Sequence, residues 1–136
     1  MKYIYNKTHF TIINGGKEFD FTIDSLPSSS PFNKPFAILT AHNPQNTPLS
    51  LEENTQRNAE LFKTLMASDY LFDSALGYLD DHSEESYCIY EITFDDAISI
   101  AKKYDQYSIF YRGVNSVGYY ETNTLKAITQ RKCNDK

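Results

Sequence analysis

Residues able to do chemistry are concentrated between positions 40 and 58. The run reads Thr40-Ala41-His42-Asn43-Pro44, and Ser50, Glu52, Glu53, Asn54, Arg57 and Asn58 follow. Arg57 offers a planar fork of donors that matches a carboxylate or phosphate. A helix opening beside it adds backbone N–H groups. His42 can exchange a proton near neutral pH. Thr40, His42, Asn43, Glu52, Asn54, Arg57 and Asn58 are therefore the candidate ligand-binding residues, with Arg57 holding an anionic group. Glu52 and Glu53 oppose a free anion, because they already occupy the positive end of the helix. The competing reading is structural. Asn54 and Asn58 fall on the inward face of that helix, where an unpaired amide costs roughly 1–3 kcal/mol. Together with Arg57 they would tie down the loop of residues 42–49 by bonding its carbonyls. Both readings stay open in the sequence.

Other chemistry is thin. His9, His42 and His82 are scattered, with no pair at metal-ligand spacing, so no metal is expected. Gly15-Gly16 is a turn and not a phosphate loop. Asp80, Asp81, Glu84 and Glu85 read as a solvated acidic turn. Cys88 and Cys133 lie too far apart to suggest a disulfide framework, and Cys88 reads as a small buried apolar residue. No nucleophile elbow or other catalytic set is legible, and no cofactor is implied. Thirteen Lys and Arg against eighteen Asp and Glu leave a net charge of −5, which argues against nucleic acid. The aromatic strand around Tyr107 and Phe110 could stack bases. However, residues 86–92 lack the glycine and basic residues of an RNA motif, and sheet packing explains the rings more simply. No apolar run is long enough to span a membrane, and no signal-peptide pattern is seen, so a cytoplasmic location is the default expectation.

The elements that must position these residues follow from periodicity. Residues 9–13 and 17–24 flank Asn14-Gly15-Gly16, with Phe19, Phe21 and Ile23 alternating against Asp20, Thr22 and Asp24: a hairpin with one wet face. Residues 25–35, rich in Ser and Pro, form a loop. Residues 36–41 are apolar, as in a central strand. Ser50-Leu51-Glu52-Glu53 matches a capping box and opens a helix to about residue 68. Strands are expected over 70–79 and 86–92, with a turn at 80–85. A second helix starts at Thr93, its Phe94, Ala97, Ile98, Ala101 and Tyr104 on one face. Strands at 107–112 and 117–121 complete the pattern. Residues 122–136 read as a flexible tail or a short helix around 125–130.

The order over 36–112 is strand, helix, strand, strand, helix, strand. This predicts one α+β domain spanning 1–136, with a ferredoxin-like split β-α-β core (β-α-β-β-α-β), an N-terminal β-hairpin and an extra C-terminal strand. Residues 36–112 also resemble a family of small bacterial proteins, domain of unknown function 3293. The resemblance rests on Phe36-Ala37-Ile38-Leu39-Thr40-Ala41 with Asn43-Pro44, then Ser50, Glu52, Asn54, Arg57-Asn58 and Leu61. Glu85-Ser86-Tyr87 and Tyr104-Asp105-Gln106 with Ile109 carry it further. The family often has an aromatic residue where this chain has His42. The resemblance implies a compact α+β domain and no particular activity. The sequence thus points first to a non-catalytic module that binds a protein partner or a second copy through a sheet edge. The alternative is a small-molecule domain or enzyme built around Arg57.

Overall fold

The computed structural model describes residues 2–133, with side chains from Tyr5 onward. A short helix α1 (Lys2–Lys7) leads into the hairpin β1 (His9–Asn14) and β2 (Lys17–Phe21). Strand β3 (Phe36–Leu39) follows the Ser/Pro loop. Then come α2 (Leu51–Met66), β4 (Phe72–Leu79), β5 (His82–Tyr90) and α3 (Phe94–Lys103). The chain closes with β6 (Ser108–Arg112), β7 (Ser116–Glu121) and β8 (Ala127–Lys132).

All eight strands join one sheet in the order β2-β1-β4-β5-β3-β6-β7-β8, and every neighbouring pair is antiparallel. This corrects the expected fold class. The chain is not a ferredoxin-like core with appendages but a long antiparallel sheet, curled into a half-barrel, with few helices. Ring contacts measure the curl. Strands β1 and β6 lie four places apart, about 19 Å along a flat sheet. Yet the rings of Phe10 and Phe110 have centroids 5.0 Å apart. Phe10 also reaches Tyr119 of β7 at 6.5 Å. Such contacts require the concave face to close on itself. The two edges nearly meet: Arg131 Nε on β8 donates to Ile23 O, just past β2, at 2.5 Å.

Period-two alternation sorts the side chains onto two cores. The concave face carries Phe10, Ile12, Phe21, Phe36, Ile38, Cys88, Phe110 and Tyr119. Phe32, fully buried, drops from the Ser/Pro loop onto Phe19, Phe21, Phe36 and Tyr90 and fills one end of the concavity. The convex face carries Ala37, Leu39, Ile89, Ile109 and Tyr111 beneath Leu61 and Leu65 of α2 and Ala97, Ile98 and Ala101 of α3. Helix α2 starts at the expected capping box: Ser50 accepts from the Glu53 amide, and Glu53 reaches back to the Ser50 amide.

Two local expectations change. The acidic turn shrinks to Asp80-Asp81, because β5 already begins at His82 and pairs with Leu79. The stretch read as a frayed tail or short helix contains β8, paired with β7. Its polar, alternating surface is that of an edge strand with little side-chain burial, which sequence hydrophobicity underweights. The last three tail residues, 134–136, lie outside the described residues.

Candidate functional site

The open end of the half-barrel holds a cavity of about 860 Å³. It forms where β3 runs out at Leu39. The alternation of Phe36 and Ile38 continues through Thr40 to His42, so both polar residues reach this end. Phe10, Ile38, Phe110, Tyr119 and Ile128 give apolar walls, and Glu84, Ser86, Gln106 and Tyr107 give polar groups nearer the mouth. The Glu84-Ser86-Cys88-Tyr90 series explains the grading. Every second residue of β5 faces inward, and these become apolar toward the end that Phe32 fills.

His42 is fixed by its backbone. Its N–H donates to Thr40 Oγ1 at 3.1 Å, and its carbonyl accepts from Gln106 Nε2 at 3.0 Å. Its ring nitrogen Nε2 is buried and has no hydrogen-bond partner. Burial disfavours the imidazolium and lowers the His42 pKa, so the ring is neutral at neutral pH. Nε2 then accepts or donates one bond, depending on the tautomer. Glu84 is the second perturbed group. Burial raises its carboxyl pKa, and His82 offsets this only in part. Glu121 behaves oppositely. Bonds from Thr124 Oγ1 at 2.6 Å and Tyr107 OH at 2.8 Å lower its pKa and keep it ionised. A neutral imidazole and a desolvated carboxyl beside an apolar chamber can bind a polar head group or exchange protons with one.

The remaining sequence candidates sit on the α2 side of this end. Asn58 Oδ1 accepts from Ala41 N at 2.8 Å, and Nδ2 donates to Glu85 O at 2.9 Å. Asn54 Oδ1 accepts from Asn43 N at 2.9 Å, and its Nδ2 donates to Asn43 Oδ1 at 2.8 Å. Asn43 Oδ1 also takes the Leu49 amide at 3.0 Å. Arg57 Nε donates to Ala41 O at 2.6 Å, and Nη2 donates to Tyr104 O. Glu52 is exposed in the first turn of α2. The held segment is strained: Asn43, Gln45 and Asn46 all have positive φ, at 46°, 51° and 61°. The αL region is costly for Gln45, less so for Asn. Gln45 is held there by bonds from its N–H and its Nε2 to Asp105 O.

Of the sequence candidates, then, Thr40 and His42 line the cavity, while Asn43, Asn54, Arg57 and Asn58 meet one another and nearby backbone. The sequence reading missed His82, Glu84, Ser86, Gln106 and the aromatic walls. The usable signal was the polar, then apolar, alternation along 84–90, hidden by assigning 80–85 to a turn. Among the described residues no group of three or more His, Cys, Asp or Glu is placed to hold a metal ion. No helix among them is long and apolar enough to cross a membrane.

No curated protein and no solved structure matches the chain. Residues 39–109, more than half of the chain, match the model of the family described as Protein of unknown function (DUF3293). The matched span runs from the end of β3 into β6 and contains Thr40, His42, Glu84, Ser86, Gln106 and the α2 amides. On that match, the chain belongs to the DUF3293 family.

Proposed function

We propose that this protein binds a small molecule in the open end of its half-barrel, with His42 as the polar anchor. In this reading Asn43, Asn54, Arg57 and Asn58 form a clamp that holds the 41–49 segment, and with it His42, in place. The observation that carries the proposal is the buried, unpartnered Nε2 of His42 at the wall of a chamber of about 860 Å³. Such a volume lies within the range of ligand cavities, and barrel mouths are a recurrent place for them. A buried polar atom without a partner costs free energy unless something bonds it. In this reading Arg57 belongs to the clamp, because its Nε and Nη2 donate to the backbone carbonyls of Ala41 and Tyr104. The test is a thermal-shift screen of metabolites on the wild type and on His42→Leu and Ser86→Leu. A ligand of the folded state raises the melting temperature by mass action. Hits that fail to stabilise the two variants support the site. Hits that stabilise all three proteins equally refute it.

A protein partner is the second reading, and a different observation favours it. Phe62 and Met66 of α2 are 44% and 63% exposed, and Leu71 is 78% exposed. Phe62 belongs to a ring cluster with Phe72 and Tyr87, whose centroids lie 5.7–6.1 Å apart. Sedimentation velocity on the wild type and Leu71→Asp tests it. A concentration-dependent dimer lost in the variant supports a second copy as the partner, and a monomer throughout removes that version.

A further inference from the structure

The charge and ring content of the cavity narrow its ligand, on the reading that the cavity is the site. Among the described residues, its lining contains no Lys and no Arg. It does contain two carboxylates, Glu84 and Glu121, and a box of rings. Phe110 stands edge-on to Phe10 and Tyr119, with centroids 5.0 and 5.1 Å away at 61° and 77°. Tyr5 lies 4.8 Å from Tyr119 and closes the box from α1. Ring faces attract cations, most strongly where water is excluded. The two carboxylates differ in what they lack. Glu121 is already satisfied by Thr124 and Tyr107. Glu84 is partly buried, and among the described lining residues only His82 offsets its charge, in part. A carboxylate so placed gains from a cation that enters with the ligand. An anionic ligand would meet two carboxylates, with only the histidines among the described lining residues able to carry a positive charge.

We infer that the cavity takes an organic cation: an amine or quaternary ammonium head on a flat apolar body, the body among the rings and the head beside Glu84 and His42. In its Nδ1–H tautomer, neutral His42 then accepts from an N–H of an amine head through Nε2, a bond that a quaternary head does not make. Burial raises the Glu84 carboxyl pKa, and a cation seated beside it would lower it again.

The chain contains no Trp, so indole emission reports an added probe alone. Tryptamine, tryptophol and indole-3-propionate share one body and carry a cationic, a neutral and an anionic head. Their fluorescence anisotropy is titrated with the full chain at mildly alkaline pH, which favours the ionised carboxyl while the amine stays protonated. Tryptamine is expected to bind at least about tenfold more tightly than the other two, the effect of one favourable charge contact. Glu84→Gln, a near-isosteric change, should bring tryptamine to the level of tryptophol without changing tryptophol. The inference fails if tryptophol or indole-3-propionate binds as tightly as tryptamine, or if the preference survives Glu84→Gln. In either case loss of binding in His42→Leu would leave the cavity standing as a site. If no probe binds, whatever its charge, the cavity is not a site for flat apolar bodies, and the inference falls with it.

Discussion

Replacing Asn58 by Leu tests whether the α2 amides hold the segment that carries His42. Asn58 is 4% exposed, and Ala41, whose N–H it accepts at 2.8 Å, is fully buried. Leu keeps most of the volume and removes both polar ends. The Ala41 N–H is then left buried and unpaired, which costs about 1–3 kcal/mol. Glu85 O loses the Asn58 donor at 2.9 Å but keeps Thr40 Oγ1 at 2.6 Å, so this end costs only about 0.5–1.5 kcal/mol. The Thr40 contact to Asn58 Oδ1 at 3.4 Å adds little, because the single hydroxyl proton is committed to the nearer Glu85 carbonyl. Leu regains roughly 0.5 kcal/mol of helix propensity over Asn. The net expectation is a loss of roughly 1–4 kcal/mol, and a melting temperature lower by roughly 3–16 °C for a domain of this size. Urea unfolding by circular dichroism measures it, with the slope unchanged if only stability moves. Arg57→Ala acts on the other side of the same peptide, since its Nε donates to Ala41 O. The double variant should therefore depart from additivity. A cost under about 0.5 kcal/mol for Asn58→Leu would mean that Ala41 finds water, and the clamp argument would be wrong.

Three further outcomes follow from particular contacts. Gly118→Ala puts a methyl 2.6 Å from Thr129 O and 3.2 Å from Gln130 Cα, both backbone, so β8 must shift away from β7. Faster hydrogen exchange over 127–132 would show this, and unchanged protection would count against the pairing. Phe32→Ala empties a fully buried site that fills one end of the concave core and should cost about 3–5 kcal/mol. A smaller loss in chemical denaturation would mean that the Ser/Pro loop is not part of the core. The pH dependence has two signs. The folded pKa of His42 is lowered, so between that value and about 6.5 the unfolded chain binds more protons and stability falls as pH drops through this window. The folded pKa of Glu84 is raised, so its desolvation penalty is present above that value and fades as pH falls through it. Glu84→Gln should accordingly stabilise the chain at neutral pH and give no gain below about pH 4. Melting curves of Glu84→Gln and His42→Leu across pH check the two signs separately.

What could be read from the sequence was whatever depends on neighbours along the chain. The capping box at Ser50, the apolar stripe of the second helix and the Asn14-Gly15-Gly16 hairpin use residues within one or two turns of each other, and all form. Element order, by contrast, says nothing about how far a sheet extends or how sharply it curls. The hairpin adds to the β4 edge and β7 and β8 add beyond β6, making the sheet eight strands wide. What rolls it up is the contact of Phe10 with Phe110 and Tyr119, residues 100 or more positions away that no local window joins.

The same gap explains the candidate site. Arg57, Asn54 and Asn58 stood out because polar residues on the inward face of a helix are conspicuous, and their partners turned out to be nearby carbonyls and amides. Glu84 and Ser86 did not stand out, because on a flat two-faced strand they would look like ordinary solvated residues. Curling changes their meaning. A residue that faces water on an open sheet faces a chamber once the edges approach, and the Arg131 bond to Ile23 O holds those edges together from strands at opposite ends of the sheet. The contact that closes the half-barrel is therefore also what gives His42 and Glu84 a cavity to face. Loosening it with Arg131→Ala should weaken ligand binding although Arg131 does not line the chamber. Anisotropy titration of tryptamine against that variant checks this directly. Unchanged affinity in a folded Arg131→Ala would show that the cavity keeps its shape without the closure, and would separate the site from the curl on which this reasoning makes it depend.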